Sequence, residues 1–145
     1  MKLPLIILTC FLLTACSGKP NAYDNHGKAI YFSHYQGKWV VLNYWASWCK
    51  PCAQEIPQLN QFYQKYHQQV AVFGINFDGT DTQQNIQKMH IQFPTLMENN
   101  VGQYFGIQQV SGLPTTYIIN PEGKIAKVLQ GEQTLQSLKQ AIGLS

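Results

Sequence analysis

The sequence predicts an α/β layer in which helices flank both faces of a mixed β-sheet, and three observations carry that expectation. Nearly continuous apolar runs of strand length, Trp39 to Trp45 and Val70 to Phe77, alternate with segments whose apolar residues recur at helical spacing. The last two apolar runs are separated only by Asn120-Pro121-Glu122-Gly123, whose turn chemistry closes an antiparallel hairpin. A sheet built from both kinds of connection is mixed. The chain has 145 residues, enough for one core and too few for two.

Residues 1–15 are expected to be an address rather than part of the fold. Lys2 precedes an apolar run from Leu3 to Leu13, which is too short to cross about 30 Å of hydrocarbon, a span that takes about 20 apolar residues. It reads as the core of a secretory signal peptide. Leu13-Thr14-Ala15-Cys16 resembles the bacterial lipobox, which implies cleavage before Cys16 and acylation of its sulfur. Acyl chains would hold the mature protein on a bilayer, at about 0.8 kcal/mol per buried CH₂, without spanning it. Ser17 stands where an Asp commonly retains lipoproteins at the inner membrane, so in a Gram-negative source it favours the outer membrane. The alternative is an ordinary signal peptide cut near Ala15. Residues 16–27 are expected to be a tether between lipid and domain, because Lys19 to Gly27 is polar and contains Pro, Asn and Gly. The folded domain is expected over residues 28–145.

Within that domain Ala29 to Ser33 reads as a short strand and Gln36-Gly37-Lys38 as the turn into the central strand Trp39 to Trp45. Cys49 opens a helix whose residues Ile56, Leu59, Phe62, Tyr63 and Tyr66 recur at steps of three and four, with a kink expected at Pro57. Val70 to Phe77 is the second buried strand. Asp81 to Met89 is a modest helix with Asp81 as its cap. Phe93 to Met97 is a short edge strand, since Pro94 lacks a ladder donor, and Val101 to Phe105 a helical turn. Pro114 to Asn120 and Lys124 to Gln130 form the hairpin. Glu132 to Ile142, with Leu135, Leu138 and Ile142 on one face, is the last helix.

Composition removes whole classes of function. Hydrophobic residues make up 45% of the chain and charged residues 12%, against about a quarter charged in an average globular protein, which argues against disorder. The net charge of +3 rests on ten lysines and no arginine, scattered from Lys2 to Lys139. Nucleic acid is therefore not expected as a partner, since phosphate binding wants clustered cations and arginine forks.

Chemistry concentrates in Trp48-Cys49-Lys50-Pro51-Cys52. Cleavage would remove Cys10 and acylation would consume Cys16, leaving Cys49 and Cys52 as one pair in a compartment where disulfides persist. The pair sits where a strand hands over to a helix. A helix N-terminus carries unpaired N–H groups and partial positive charge, which stabilise a thiolate, and Lys50 adds to that field. Cys49 is thus the expected nucleophile and Cys52, one turn deeper, the resolving thiol. Pro51 fits the first turn, where its missing N–H costs nothing. A zinc site would want a second pair of ligands, which the spacing of His26, His34, His67 and His90 does not offer. A structural disulfide closing so small a ring would stabilise little. None of the histidines is assigned a catalytic role.

Trp45-Ala46-Ser47-Trp48-Cys49-Lys50-Pro51-Cys52 resembles the active-site segment of thioredoxin-fold proteins, and specifically of the TlpA/ResA-like thiol-disulfide oxidoreductases. The likeness extends over Gly37 to Trp45, Glu55-Ile56-Pro57, Gly74-Ile75-Asn76 and Gly112-Leu113-Pro114-Thr115-Thr116. It implies a thioredoxin-like fold with a βα insertion over Asp78 to Asn100, a cis bond before Pro114, and pairing of the Leu113 backbone with substrate as an added strand. Asn43 stands where thioredoxin has a buried Asp that assists proton transfer from the resolving Cys, and Gly74 where it has the Lys paired with that Asp. ResA-like proteins also carry Asn at the first place, and the resemblance implies a carboxylate supplied from the loop after the next strand. Asp78 is the nearest candidate there, although it does not align with that family's Glu, and Glu55 also stands near the site; each is weighed against a loop or capping role. Trp48 is expected to shield the sulfurs, and Trp45 and Tyr44 to be core.

The resemblance implies an enzyme of the bacterial envelope, periplasm-facing and lipid-anchored, that exchanges protein thiols and disulfides with no cofactor beyond its own Cys49–Cys52 pair. Pro51 and Leu113 look like the reducing branch, whose members keep apocytochrome c or other envelope thiols reduced with electrons from a membrane partner. Lys50 pulls toward the alternative, an oxidant or isomerase, because a stabilised thiolate makes the disulfide more oxidising. From a different class, a copper-handling module would hold its metal on Cys49, Cys52 and a His. A peroxidase would need a lone peroxidatic Cys in a Pro- and Thr-containing loop, a segment this sequence lacks.

Overall fold

A computed structural model describes residues 18–144. The expectations for the signal segment 1–15, for Cys10, for Cys16 and for Ser17 lie outside the described residues. The chain enters through a small antiparallel hairpin, β1 (Ala22–Tyr23) and β2 (Ala29–Ile30), followed by a 3₁₀ turn over Phe32–Tyr35. Then come β3 (Trp39–Trp45), α1 (Lys50–Tyr66), β4 (Val70–Asn76), α2 (Thr82–Lys88) and β5 (Thr95–Leu96). A second 3₁₀ turn, Val101–Phe105, leads to β6 (Thr115–Ile119), β7 (Ile125–Gln130) and α3 (Leu135–Ala141). The main sheet has the order β5-β4-β3-β6-β7. Its β3–β4 and β4–β5 pairs are parallel, while β3–β6 and β6–β7 are antiparallel, so the sheet is mixed as expected.

Strand side chains alternate between the two faces of a sheet. On one face Val41, Trp45, Val72 and Ile118 pack with Ile56, Leu59 and Phe62 of α1, Ile86 of α2 and Leu138 of α3. On the other, Val40, Leu42, Tyr44, Ile75 and Ile119 pack with Ala22, Ile30, Phe32, Val101 and Ile107. Among the described residues the three α-helices therefore lie on one face, and the opposite face is covered by the hairpin and the 3₁₀ helices. Helices thus flank both faces, as expected, those on the second face being 3₁₀ rather than α. β3, β4 and β5 are laid side by side in one direction, and crossovers of the same hand along one direction leave their helices on the same side.

The expected tether over residues 16–27 is also corrected, because its latter part is folded. The Asn21 side chain accepts from the Phe32 N–H at 2.8 Å, and the Asn25 N–H donates to the Thr95 carbonyl at 2.9 Å. The Asn25 side chain accepts from the Thr95 N–H in return, at 2.8 Å, while the Met97 N–H donates to the Tyr23 carbonyl at 2.9 Å. Ala22 and Asp24 are buried. The domain thus begins near Asn21 rather than Lys28. The short strand expected over Ala29 to Ser33 ends at Ile30, where Phe32 turns into the 3₁₀ segment to reach the core.

Two helix starts differ from expectation. Asp81 precedes α2 in a left-handed conformation (φ 47°) and its side chain makes no capping bond. The last helix begins at Leu135 because Thr134 and Ser137 form a reciprocal capping box there. α1 runs on through Pro57, which forgoes one backbone bond.

Candidate active site

β3 delivers the chain to the site. It ends at Trp45, Ala46-Ser47-Trp48 make the turn, and Cys49 is the N-cap of α1. A cap residue accepts from the N–H groups that the first turn leaves unpaired, and here the Cys49 sulfur accepts from the Cys52 N–H at 3.2 Å. Lys50 and Pro51 occupy the first two helical positions, both exposed. Cys49 and Cys52 form a disulfide. Cys49 is 5% exposed and Cys52 fully buried, so the sulfur of Cys49 is the one an incoming molecule can reach.

The Leu113–Pro114 peptide is cis. β3 and β6 pair Tyr44 with Thr115, so continuing that register one step sets Pro114 level with Trp45, at the strand end that hands over to Cys49. Leu113 is half-buried and packs against the hydrophobic cluster that contains both cysteines. The loop is tied by the Thr115 hydroxyl, which donates to the Gly112 carbonyl at 2.7 Å.

Two carboxylates were candidates beside the sulfurs, and their surroundings are opposite. Glu55 lies three residues after Cys52, on the same helix face, and is 1% exposed. One carboxyl oxygen accepts from the Asn43 amide at 2.9 Å, the other from the Gln133 backbone N–H at 3.0 Å. Burial pushes its pKa up to about 7. The hydrogen bonds from Asn43 and Gln133 pull the other way, and the charge of Glu132 adds to the rise. A carboxyl that titrates near neutrality can take or give a proton at physiological pH.

Asn43 also donates to the Thr116 hydroxyl at 2.9 Å, and its own amide oxygen has no partner among the described residues. Its neighbour across β4 is Gly74. The indole nitrogen of Trp45 and the side chains of Phe93 and Thr95 crowd the place a Cβ would take there, each within 2.8–2.9 Å of it, so only glycine fits.

Asp78 is exposed, and its carboxylate accepts from the Trp48 indole N–H at 2.8 Å. Trp48 is 66% exposed, so this pair forms a surface clasp beside Cys49 rather than a cover over it. Trp45 and Tyr44 are buried. The four histidines are exposed, and among the described residues no group of three or more His, Cys, Asp or Glu is arranged to hold a metal.

Sequence reasoning missed Gln133 and Thr116. A backbone donor leaves no trace in residue type, so nothing in the sequence could single out Gln133. Thr116 was readable only as part of the segment Gly112 to Thr116.

Comparison with known proteins agrees with this geometry. The AhpC/TSA family model matches residues 13–128. The thiol-disulfide oxidoreductase ResA of Bacillus thuringiensis subsp. konkukian (strain 97-27) is 33% identical over 120 residues, covering 81% of this chain and 69% of that protein. ResA of Bacillus subtilis (strain 168) is 37% identical over 114 residues, or 77% and 63% of the two chains. The crystal structure of StoA from Bacillus subtilis superposes with a TM-score of 0.69 at 25% identity, over 83% of this chain and 92% of StoA.

Proposed function

From the premise that the chain belongs to the AhpC/TSA family and is a thiol-disulfide oxidoreductase of the ResA type, we propose that it reduces protein disulfides in a bacterial envelope, held to the membrane by lipid on Cys16. The observation that carries the chemistry is the Cys49 sulfur at the N-terminus of α1 with the buried Glu55 carboxyl one turn beyond Cys52.

In the reduced protein the Cys49 thiolate attacks a substrate disulfide. A mixed disulfide forms, and one substrate sulfur leaves as a thiolate. The Cys52 thiol gives its proton to the Glu55 carboxylate and attacks the Cys49 sulfur, releasing the second substrate thiolate and closing the Cys49–Cys52 disulfide. Two electrons have then passed from protein to substrate. A membrane electron-transfer partner returns them. Leu113, before the cis Pro114, offers its backbone to the substrate chain, while Trp48, Lys50 and Pro51 frame the nucleophile. Apocytochrome c is one substrate this reading accommodates.

An oxidant or isomerase is the second reading, favoured by the position of Cys49 at a helix N-terminus beside Lys50, since both stabilise the thiolate of the reduced form. The reduction potential decides between them. Equilibrated against a defined thiol-disulfide buffer, a reductant is expected below roughly −230 mV, whereas about −120 to −180 mV would overturn the reducing direction. The anchor has its own test. Cys16→Ser is expected to move the protein from the membrane fraction to the soluble one, and persistence on the membrane would rule out the lipid. Ser17 favours the outer membrane in a Gram-negative cell.

A further inference from the structure

A cavity of about 570 Å³ lies beside the 3₁₀ turns that cover the sheet opposite the α-helices, and no step of the thiol exchange uses it. Its lining includes Gly18 and Lys19, Tyr31, Ser33 and His34 at the first 3₁₀ turn, and Tyr104 of the second. Among the described residues no carboxylate lines it. Lys19, Ser33 and His34 are exposed and Tyr104 is half-exposed. The rings are held in place by their neighbours. Tyr104 packs on Phe32 and Phe105, with ring centroids 4.9 and 5.1 Å apart, and Tyr31 packs on His34 at 5.1 Å.

The position of this cavity along the chain says what it faces. Gly18 stands two residues after Cys16, a separation that extended chain covers in about 7 Å. By Asn21 the chain is already tied into the fold, since its N–H donates to the Ile30 carbonyl and its side chain accepts from the Phe32 N–H, both at 2.8 Å. Five extended residues reach no farther than about 18 Å, so the domain cannot swing away from an anchor at Cys16. The headgroup layer beyond the hydrocarbon is roughly 5–8 Å deep on each side. A cavity whose own lining begins two residues from the lipid therefore lies at the bilayer surface.

We propose that this cavity is the surface on which the domain rests on its membrane, a contact for the headgroup layer of anionic phospholipids, with the Tyr31 and Tyr104 rings at headgroup level and Lys19 against lipid phosphate. The inference rests on the lipid anchor at Cys16. Tyrosine suits that depth because its ring is apolar and its hydroxyl is wet. The Lys19 ammonium is drawn to the negative surface potential, the hydroxyl of Ser33 and the ring of His34 offer donors to phosphate oxygens, and no carboxylate opposes them. Cys49 and Cys52 belong to the cluster on the other side of the sheet, with the α-helices. In this orientation both the substrate and the partner that returns electrons approach the sulfurs from the aqueous side.

The test places a nitroxide on the full acylated protein through Ser33→Cys, or through Lys65→Cys on the exposed side of α1, with the Cys49–Cys52 disulfide intact, on vesicles of phosphatidylcholine and phosphatidylglycerol. The measured quantity is the ratio of collision rates with oxygen, which concentrates in lipid, and with a water-soluble nickel chelate. The ratio at residue 33 is expected to exceed that at residue 65 about threefold, as a headgroup-level position requires. Lys19→Glu combined with Tyr104→Ser is expected to bring the two ratios together while leaving disulfide exchange in solution unchanged. Equal ratios in the otherwise unaltered chain, or a higher ratio at residue 65, would overturn the resting surface. Slower collision with both reagents at residue 33, at an unchanged ratio, would put a second copy of the chain there and overturn it as well. A mature protein whose mass shows no acyl chains would instead overturn the anchor itself, and the resting surface with it.

Discussion

Asn43 and Tyr44 are consecutive in β3, yet they serve opposite sides of the sheet. Asn43 turns toward the α-helices, where it joins Glu55 and Thr116 in a buried polar network behind Cys52. Tyr44 turns the other way, into a cavity lined by uncharged side chains. One face holds a group able to titrate near neutrality, and the cavity on the other is lined by no charged side chain among the described residues. The two-residue period of a strand is enough to separate a buried carboxyl network from an uncharged cavity within one step of chain.

The largest effect should come from the sulfurs that both faces share. Cys49→Ser is expected to abolish disulfide exchange, and Cys52→Ser to accumulate mixed disulfides visible on non-reducing gels; the reverse pattern would interchange their roles.

Next comes the helical face. Glu55→Gln is expected to slow resolution of the mixed disulfide about a hundredfold at pH 7, the ordinary contribution of a positioned base. In the wild type that rate should climb as pH rises through about 7, because only the ionised carboxylate can take the Cys52 proton. Stability should move in the opposite sense. The carboxyl titrates at about 7 in the fold against an ordinary 4.5, so the folded state binds the proton more tightly. The stabilisation is fully present below about 4.5 and is lost as pH rises through about 7. Denaturant midpoints across that window should fall with pH in the wild type and stay flat in Glu55→Gln. A parallel slope in both proteins would remove Glu55 from the account.

The smallest effect belongs to the exposed carboxylate. Asp78→Ala removes one surface hydrogen bond, and a change of less than about 1 kcal/mol in stability and less than about threefold in exchange rate is expected. An effect approaching that of Glu55→Gln would shift the proton acceptor to Asp78 and dissolve the contrast between buried and exposed carboxylates.

Much of this was legible because the apolar runs of β3 and β4 and the helical period of α1 have one physical solution each. The CxxC site was legible for the same reason, since a strand-to-helix handover predicts where a cap residue stands. The ranking of Glu55 over Asp78 was not. Both are carboxylates within reach of the site in sequence, and only the packing of α1 and the loop before α3 buries the first while leaving the second in water. The stretch from Asn21 to Gly27 was misread because its polar, turn-forming residues suit a linker. In the fold those same Asn and Asp side chains supply hydrogen bonds to backbone groups of Phe32, Lys28 and Thr95. Composition alone does not distinguish a side chain that bonds water from one that bonds a strand end.

That entry hairpin also bears on how the protein stays dispersed. Asp24 bridges Leu96, and Tyr23 and Asn25 take up the backbone groups of β5, so one edge of the sheet is closed to further pairing. The other edge, β7, is open but carries Lys127 facing water, a charge that penalises a second strand laid alongside. A chain trimmed back to Lys28 would bare β5 and acquire a sticky margin, so the first folded residues act as a guard against self-association, a service the redox site itself never requires.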